Sequence, residues 1–471
     1  MIGSNGLENG LETRVSRGLG SQAYAQAAYT AIRLSEVPLL LHFWGARGYG
    51  EWLMLSAIPA YLALADGGFA GSASRDMSMR SAGGDRAGAS AVFQSTAILL
   101  LLLTVGAVAV AVPIALFAPF HDWLGFQTID PRELEAVLVL LVLHTLVGFH
   151  SGLLNGGFWC SGRYPLGMFW GTTTQVLEFA MAACAVVLGG GPVQAAAALL
   201  AGRVCGTLAT RRALIRVTPW LRYGIRDASL SEIRRLAVPS LASLAFPLGN
   251  ALNIQIMRLV VGVVLGPMAV AVFVPLRTLT NLVSQPRSVV NRLIEPELGM
   301  AFGSGDRVLF SRLFLRGCQA AVWLCAVAAI VLLAIAPWFW PAWTGGDVVL
   351  PWPLFLFLTA ASVVNSVWYT ALMVPYATNR HGRFALAYML VYGLGAIVLA
   401  YVGSATAGLS GAGAALLIAE LLMAAYVLPA ALAMGHEGWS GWASATLRPP
   451  TFILSLGVPL LSRRRLAKNA G

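Results

Sequence analysis

Twelve long apolar stretches constrain the fold of this chain more than any other feature. About 20 apolar residues match a helix that spans the hydrocarbon core of a bilayer, and they are too many for a strand of a membrane barrel. The sequence therefore predicts an all-α integral membrane protein. The predicted transmembrane helices lie near 22–43, 49–69, 90–118, 133–156, 166–188, 193–214, 237–262, 267–289, 317–340, 353–376, 385–402 and 411–433.

The composition of the 471 residues agrees with a membrane protein. Hydrophobic residues make up 58% of the chain and charged residues 11%, whereas soluble domains carry about 25% charged residues. This excludes a cytosolic enzyme, a secreted disulfide scaffold and a disordered chain. The five cysteines show no CxxC motif and no metal-ligand spacing. We therefore predict no metal and no cofactor, and we predict no nucleic-acid partner despite the net charge of +11.

The positions of the basic residues predict the orientation. With the N-terminus inside, 24 of the 31 basic residues fall on inner segments, and only Arg47 and Arg132 fall on outer loops. Inner loops of membrane proteins are enriched in Arg and Lys, so both termini are expected to be cytoplasmic. The outer loops are short and offer no domain for a catalytic site, which argues against an enzyme.

The chain contains an internal duplication. Gly84-Asp85-Arg86 follows the second predicted span, and Gly305-Asp306-Arg307 follows the eighth. Gly45 and Gly266 are separated by the same number of positions as these two motifs. The repeated unit has six spans, an even number, so both copies enter the membrane in the same direction. The duplication predicts two six-helix parallel-repeat lobes around a central cavity.

The predicted domains follow from the spans and the duplication. They are an N-terminal cytoplasmic segment (1–21), two lobes (22–214 and 237–433), a cytoplasmic Arg-rich linker (215–236) and a basic cytoplasmic tail (434–471). Within the tail, the apolar stretch 449–461 is too short to span the membrane and is predicted to be interfacial or re-entrant.

A polar stripe runs along the first predicted span. Gln26, Tyr29, Arg33 and Glu36 recur every three or four residues, so they share one face of an otherwise apolar helix. A charge at the centre of a membrane helix costs about 2.5–3.5 kcal/mol, so the stripe is expected to face a polar cavity. The alternative is a structural pair in which Arg33 and Glu36 neutralise each other.

The seventh and eighth predicted spans carry further polar residues. They are Asn253, Arg258, Arg277, Asn281 and Arg287. Guanidinium groups form bidentate, charge-assisted hydrogen bonds with phosphate, and these bonds gain strength in a low-dielectric cleft. The three arginines, together with Arg33, are therefore predicted to bind a diphosphate in the cavity, with Asn253 and Asn281 lining it. Snorkelling toward the membrane interface is the alternative for Arg277 and Arg287.

Two further carboxylates lie near the middle of predicted spans. Glu178 and Glu420 are candidates for proton coupling, because burial raises the pKa of a carboxyl group, or for hydrogen bonds between helices. His144 is interpreted as a packing residue or a sugar contact. Glu51 and Asp66, near span ends, are interpreted as solvated.

One segment of the chain resembles a known family. Pro38-Leu39-Leu40, Gly45, Tyr49-Gly50-Glu51-Trp52 and Leu64-Ala65-Asp66-Gly67-Gly68 are similar to a signature of the first two spans of bacterial polysaccharide flippases. The Gly-Asp-Arg loop and Leu265-Gly266-Pro267 also fit. The chain thus resembles Wzx-type polysaccharide biosynthesis flippases of the multidrug/oligosaccharidyl-lipid/polysaccharide exporter superfamily.

The resemblance implies transport of a polyprenyl-diphosphate-linked oligosaccharide, such as an exopolysaccharide repeat unit, across the bacterial inner membrane. Its partners would be this lipid-linked substrate, the bilayer, and a polysaccharide polymerase or export machinery. One alternative is a cation-coupled multidrug exporter of the same superfamily, which would need an acidic, aromatic cavity. A membrane glycosyltransferase or polymerase is the other alternative.

Overall fold

A computed structural model of the protein describes residues 4–243, 245–303, 305–346, 348–378, 380 and 382–450. This part of the chain is helical throughout and contains no strand. It divides into two compact units, of which the first comprises Met1–Ala271 with Trp343–Asp347, and the second Val272–Ala342 with Val348–Gly471. The predicted all-α fold is confirmed, and the predicted lobe boundaries stay a prediction.

Ten helices belong to the first unit. They are α1 (Ser4–Ala60), α2 (Phe69–Ala82), α3 (Arg86–Phe117), α4 (Phe120–Leu124), α5 (Pro131–Cys160), α6 (Tyr164–Val187), α7 (Pro192–Val217), α8 (Leu230–Ser243), α9 (Ala245–Ala251) and α10 (Met257–Leu265). A π-helical turn, Leu252–Ile256, joins α9 to α10. The core of this unit lies between α2, α3 and α5, where Met77, Phe93, Phe149 and Phe158 are buried.

The remaining helices belong mainly to the second unit. They are α11 (Pro267–Val283), α12 (Gln285–Gly303), α13 (Arg307–Thr344), α14 (Trp352–Ala371), α15 (Met373–Ala377), α16 (Gly382–Ala387), α17 (Ala396–Gly435) and α18 (Trp439–Leu447). A second π-helical segment, Tyr388–Gly395, joins α16 to α17. The most extensively packed helix pair of this unit is α14 with α17, whose Leu354, Leu358, Ala415 and Ala419 are buried.

Seven helical stretches of the described residues are long and apolar enough to cross a membrane, and the bent pair α11–α12 makes an eighth. Each of the twelve predicted spans overlaps a helix, and the count of twelve stays a prediction. One of the seven, Gly382–Gly435, contains non-helical backbone at Ala407 and Gly408. A Cβ on Gly411 would overlap the Gly403 carbonyl, although a straight helix would separate these two positions by about 12 Å. The chain therefore folds back here, as two predicted spans require.

The second predicted span ends earlier than expected. Its helix stops at Ala60 and is followed by a 3₁₀ turn, Tyr61–Leu64, rather than continuing to residue 69. Gly67 and Gly68 then adopt φ angles of 63° and 72°, which glycine adopts at little cost, and α2 begins directly after them. The carboxylate of Asp66 accepts a hydrogen bond from the Gly68 N–H (3.0 Å), so Asp66 shapes this turn.

The backbone repeats where the sequence does. Gly45 interrupts α1 with φ 68° and ψ 175°, and its counterpart Gly266 ends α10 with φ 88° and ψ 169°. The two Gly-Asp-Arg turns also match. Asp85 accepts a hydrogen bond from the Gly88 N–H and Asp306 accepts one from the Leu309 N–H, so each aspartate caps the helix that follows. This agreement supports the predicted duplication.

The predicted interfacial stretch 449–461 lies outside the described residues from position 451 onward.

Candidate functional site

The polar stripe of α1 has a partly exposed arginine at its centre. The Arg33 guanidinium lies over the Tyr29 ring, 5.5 Å from its centroid, and its Nη1 is 3.7 Å from Glu36 Oε2. The side chains of Arg33 and Glu36 are 38% and 26% exposed, and Gln26 is exposed. The Arg33–Glu36 pair therefore exists, but its length and exposure leave both groups able to contact a ligand.

Arg258 belongs to the same neighbourhood of the first unit. Tyr49, only 2% exposed, interacts electrostatically with Arg33, Glu36 and Arg258. Arg258 also interacts with Tyr61. Because α10 packs against α1, the structure brings the predicted residues Arg33, Glu36 and Arg258 around one buried tyrosine. Asn253 is completely buried on the π-helical turn before α10, so it packs inside the unit.

Arg277 and Glu420 meet in the second unit through a tyrosine. Arg277 donates a hydrogen bond to the Tyr392 hydroxyl, which in turn donates one to the Glu420 carboxylate. Oε2 of Glu420 also accepts hydrogen bonds from Asn365 Nδ2 (3.0 Å) and Trp368 Nε1 (2.7 Å). Glu420 is thus held by α14 and by the π-helical segment Tyr388–Gly395.

Aromatic rings surround this carboxylate. Trp368 lies 6.1 Å from Tyr388 and 6.2 Å from Tyr392 between ring centroids, and the two tyrosines stack at 4.8 Å. An acidic group among aromatic faces is a general arrangement for a cation. In this unit the cation is supplied by the chain itself, since Arg277 interacts with both Tyr392 and Glu420.

Arg287 is the predicted site arginine with the least satisfied hydrogen-bonding capacity. Its guanidinium stacks over the Tyr369 ring, 4.2 Å from the centroid. Its Nε and Nη1 are buried, and neither has a hydrogen-bond partner in the described part of the chain. One helical turn further along α12, Nδ2 and Oδ1 of Asn291 are also buried without a hydrogen-bond partner in the described residues. Asn281, by contrast, is exposed.

Unsatisfied donors of this kind are rare because they are costly. A buried polar group without a partner costs about 1–3 kcal/mol, and more when it is charged. Native structures keep few such groups, and each one calls for an explanation, such as strain, a water, an ion or a functional role. Two guanidinium donors and an amide on one face of α12 form a set that an anion with several oxygens would satisfy.

A further charged cluster lies in the first unit. It consists of Glu178, a predicted coupling residue, with His144 and Arg203, whose contact with Glu178 was not predicted. An oxygen of Glu178 on α6 forms an ion pair with Arg203 Nε on α7 (2.8 Å), and its other oxygen lies 3.1 Å from His144 Nε2 on α5. Arg203 Nε also lies 3.3 Å from His144 Nε2. Glu178 therefore joins three helices, and the interpretation of His144 as a sugar contact gains no support from this position.

The interpretation of Glu51 as a solvated residue is wrong. Glu51 is completely buried, and its carboxylate accepts hydrogen bonds from the backbone N–H groups of Gln127, Thr128 and Ile129 at 2.9–3.2 Å. It anchors the segment between α4 and α5 to α1. The only sequence signal was its place within the family-like signature, beside Tyr49 and Gly50.

Comparisons with known proteins agree on the fold. No family model and no curated protein matches the sequence. The structure is similar to an inward-facing multidrug resistance MATE family transporter of the MOP superfamily, with a TM-score of 0.70 and 19% identity over 88% of this chain and 94% of that one. An outward-facing MATE family transporter gives 0.60 and 18% over 90% and 97%.

A flippase matches as well. The lipid II flippase MurJ, in an inward closed conformation, aligns with a TM-score of 0.63 and 14% identity over 93% of this chain and 92% of that one. The chain therefore has the helical transporter fold that MATE proteins and MurJ share.

Proposed function

We propose that the protein is a flippase that moves a polyprenyl-diphosphate-linked oligosaccharide across the bacterial inner membrane by alternating access. The observation that carries the proposal is Arg287, whose Nε and Nη1 are buried without a hydrogen-bond partner in the described residues. A guanidinium can donate two hydrogen bonds at once to two oxygens of a phosphate group, and a diphosphate offers several such oxygens. The shared fold of MATE transporters and MurJ supports transport rather than enzymatic catalysis.

The other predicted arginines contribute unequally to this proposal. Arg33 contacts Tyr29 and lies 3.7 Å from Glu36, and its side chain is 38% exposed, so an anion can reach it. Arg277 hydrogen-bonds Tyr392 and interacts with Glu420, and Arg287 also interacts electrostatically with Glu420. Arg287 differs in having two buried N–H donors without a hydrogen-bond partner in the described residues. Within the second unit we therefore assign phosphate binding to Arg287. Within the first unit we assign it to Arg33, which shares the neighbourhood of Tyr49 with Arg258.

The partners follow from the substrate. A lipid-linked oligosaccharide flipped to the outer leaflet must next meet an enzyme that consumes it, which on this proposal is a polysaccharide polymerase or export complex. The resemblance to polysaccharide flippases implies that transport runs from the inner to the outer leaflet.

The test is substrate flipping by the purified full-length protein in proteoliposomes, with a fluorescent polyprenyl-diphosphate oligosaccharide. Arg287→Gln should lower the rate by tenfold or more, because about 1.5–3 kcal/mol is the worth of one charged hydrogen bond. Arg287→Lys should recover only part of it. The matched control is Arg292→Gln, an exposed arginine on the same helix that donates to the Ser288 carbonyl.

Thermal unfolding separates a transport role from a structural one. If Arg287 serves the substrate, Arg287→Gln should lower the flipping rate more than any change in its melting temperature explains, because the same charge also interacts with Glu420 and stacks over Tyr369. A lower melting temperature with normal flipping would assign Arg287 to packing and would remove the main support for an anionic substrate.

A cation-coupled multidrug exporter is the second candidate. The aromatic and acidic neighbourhood of Glu420 favours it, as does the similarity to MATE transporters. Efflux of a cationic dye from proteoliposomes, lost in Glu420→Gln and unaffected by Arg287→Gln, would favour this candidate. Flipping of the lipid-linked glycan without dye efflux would reject it.

A further inference from the structure

An elongated apolar groove lies in the first unit, apart from every residue assigned to the substrate. It is formed by α3, α5, α7 and the segment 218–229 that follows α7, and its volume is about 690 Å³, within the range of about 300–1,000 Å³ of ligand pockets. Most of its lining is apolar, including Ile98, Leu101, Leu143, Val147 and Leu208.

The groove opens to the outside of the unit. Leu101 and Leu208, on opposite walls, are 54% and 53% exposed, and Ile225 at one end is 81% exposed. Helix α3 also presents Leu102, Val105 and Val110 outward. In a membrane protein such apolar exposure faces lipid tails, which are as apolar as leucine. A hydrocarbon chain can therefore enter the groove from the bilayer.

One end of the groove is cationic. Arg211, in the last two turns of α7, is exposed, and its guanidinium stacks over the Tyr223 ring at 4.9 Å from the centroid. Both residues line the groove. Stacking uses the face of the guanidinium, whereas its N–H groups lie in the plane and can grip a phosphate. Arg211 begins the Arg-rich region that the positive-inside rule places on the cytoplasmic side.

The cationic end is fixed by hydrogen bonds to α3. Gln94 accepts from the Asp227 N–H (2.9 Å) and donates to the Arg222 carbonyl (3.3 Å). Ser95 accepts from the Ser229 N–H (2.8 Å). The Tyr223 ring packs edge-on against Phe93, with centroids 5.0 Å apart. The segment that carries Tyr223 is thus held against α3 by these hydrogen bonds and by the ring contact.

We propose that this groove binds an anionic phospholipid of the inner leaflet, with its phosphate on Arg211 and an acyl chain along α3, α5 and α7. An amphiphile with one negative headgroup and a long apolar chain matches a groove with a single charge at one end. Basic sites between membrane helices on the cytoplasmic side bind anionic lipid headgroups in general. Burial raises the pKa of Tyr223 to about 12, so its hydroxyl stays neutral beside the phosphate.

The experiment is native mass spectrometry of the full-length protein in detergent, titrated with phosphatidylglycerol or phosphatidylethanolamine. We expect phosphatidylglycerol to bind more tightly, and Arg211→Gln to weaken its binding about five- to tenfold. The matched control is Arg212→Gln, because Arg212 is exposed on the same helix but does not line the groove. Equal losses in both variants, or equal binding of both lipids, would overturn the proposal.

A second variant tests the apolar half. Leu208→Trp should fill the groove and reduce binding of phosphatidylglycerol even though Arg211 is intact. A photoreactive residue at Ile225 should crosslink lipid in membranes. Crosslinking to a protein, or displacement of phosphatidylglycerol by equimolar polyprenyl phosphate, would contradict a phospholipid site. Neither result depends on flipping activity, so this proposal can fail while the proposed function stands.

Discussion

At the scale of single residues, Glu178 is the side chain whose removal we expect to cost the most stability. Its side chain is 7% exposed and that of Arg203 is 22% exposed. Glu178→Ala would leave a largely buried guanidinium without its carboxylate, which costs about 3–5 kcal/mol. The measurement is the melting temperature in detergent.

Two further variants make this prediction specific. Glu133→Ala removes an exposed glutamate in the first turn of α5 and should change little. The double variant Glu178→Leu/Arg203→Met should recover most of the loss, because replacing both members of a buried pair by apolar groups is often neutral. Equal melting temperatures for Glu178→Ala and Glu133→Ala would show that the cluster does not stabilise the protein.

The composition of such clusters could not be predicted from the sequence. His144, Glu178 and Arg203 lie on three helices, and no spacing relates them, so only packing reveals that they meet. Arg33 and Glu36 are different, because they are three residues apart on one helix and the pairing rule for helices applies to them directly. Arg287 could be named from its position in an apolar span, whereas its unsatisfied donors depend on what surrounds α12.

At the scale of helices, glycine determines how closely two segments can approach. Gly411 packs against the backbone of Gly403 across the break at Ala407 and Gly408. Gly411→Ala should lower the free energy of unfolding by about 1–3 kcal/mol, because the added methyl group has no space. A lower melting temperature measures it. Gly106→Ala on α3, where nothing lies within 4 Å, should be neutral or slightly stabilising, and a Gly411→Ala variant as stable as that control would contradict the packing argument.

An ionic network joins α2 to α8. Arg235 donates to Asp76 with Nη1 (2.8 Å) and Nη2 (2.5 Å), and Arg80 donates to both oxygens of Glu232 at 2.9 and 3.0 Å. The Arg235 hydrogen bonds hold the pKa of Asp76 below its ordinary value of 3.8. Because the folded-state pKa is the lower one, Asp76 contributes stability above pH 3.8 that is lost as pH falls through the folded-state pKa.

This linkage predicts a pH-dependent effect of Asp76→Asn. At neutral pH the variant should melt at a lower temperature than the wild type, and the difference should shrink as the pH is lowered below 3.8. Melting curves across a pH series measure it. Asp122→Asn is the control, since the Asp122 side chain is 83% exposed. A difference that stays constant down to the lowest pH would mean that Asp76 acts through shape rather than charge.

The bounds of a helix could be predicted from the sequence where they coincide with the ends of an apolar stretch. The bilayer demands about 20 apolar residues whose backbone is satisfied within the helix, and both conditions are local. The helices α3, α5, α6 and α7 accordingly begin and end within a few residues of the predicted spans. The second span ends before its apolar stretch does, because the chain passes through a 3₁₀ turn, Asp66 and two left-handed glycines before α2.

At the scale of the whole chain, the duplication explains a recurring connection. Ser90, near the start of α3, donates to Asp227 (3.2 Å), which follows α7. Ser311, the counterpart of Ser90 near the start of α13, donates to Glu437, which follows α17. Each repeat thus ties the start of its third predicted span to the segment after its sixth. The repeats have diverged elsewhere, because Ala301 stands where the first repeat has Arg80.

The duplication predicts on which side of the membrane each loop lies, and labelling two positions tests this prediction. An even number of spans per repeat with the N-terminus inside puts α4 and the segment that follows it outside and the segment after α7 inside. Asp122 and Arg226 are exposed in these two places. In a background carrying Cys184→Ser and Cys205→Ser, which removes the two exposed cysteines, Asp122→Cys should react with an impermeant maleimide on intact spheroplasts. Arg226→Cys should react only after the membrane is permeabilised.

The two labelling sites distinguish an error in the number of spans from an error in the orientation of the protein. Reaction of both cysteines on intact spheroplasts would mean that the number of spans between positions 122 and 226 is even rather than odd, and the parallel-repeat arrangement would fail with it. The reversed pattern would keep the repeats parallel but invert the protein. Arg211 would then lie at the outer leaflet, and the groove could not bind a phospholipid of the inner leaflet.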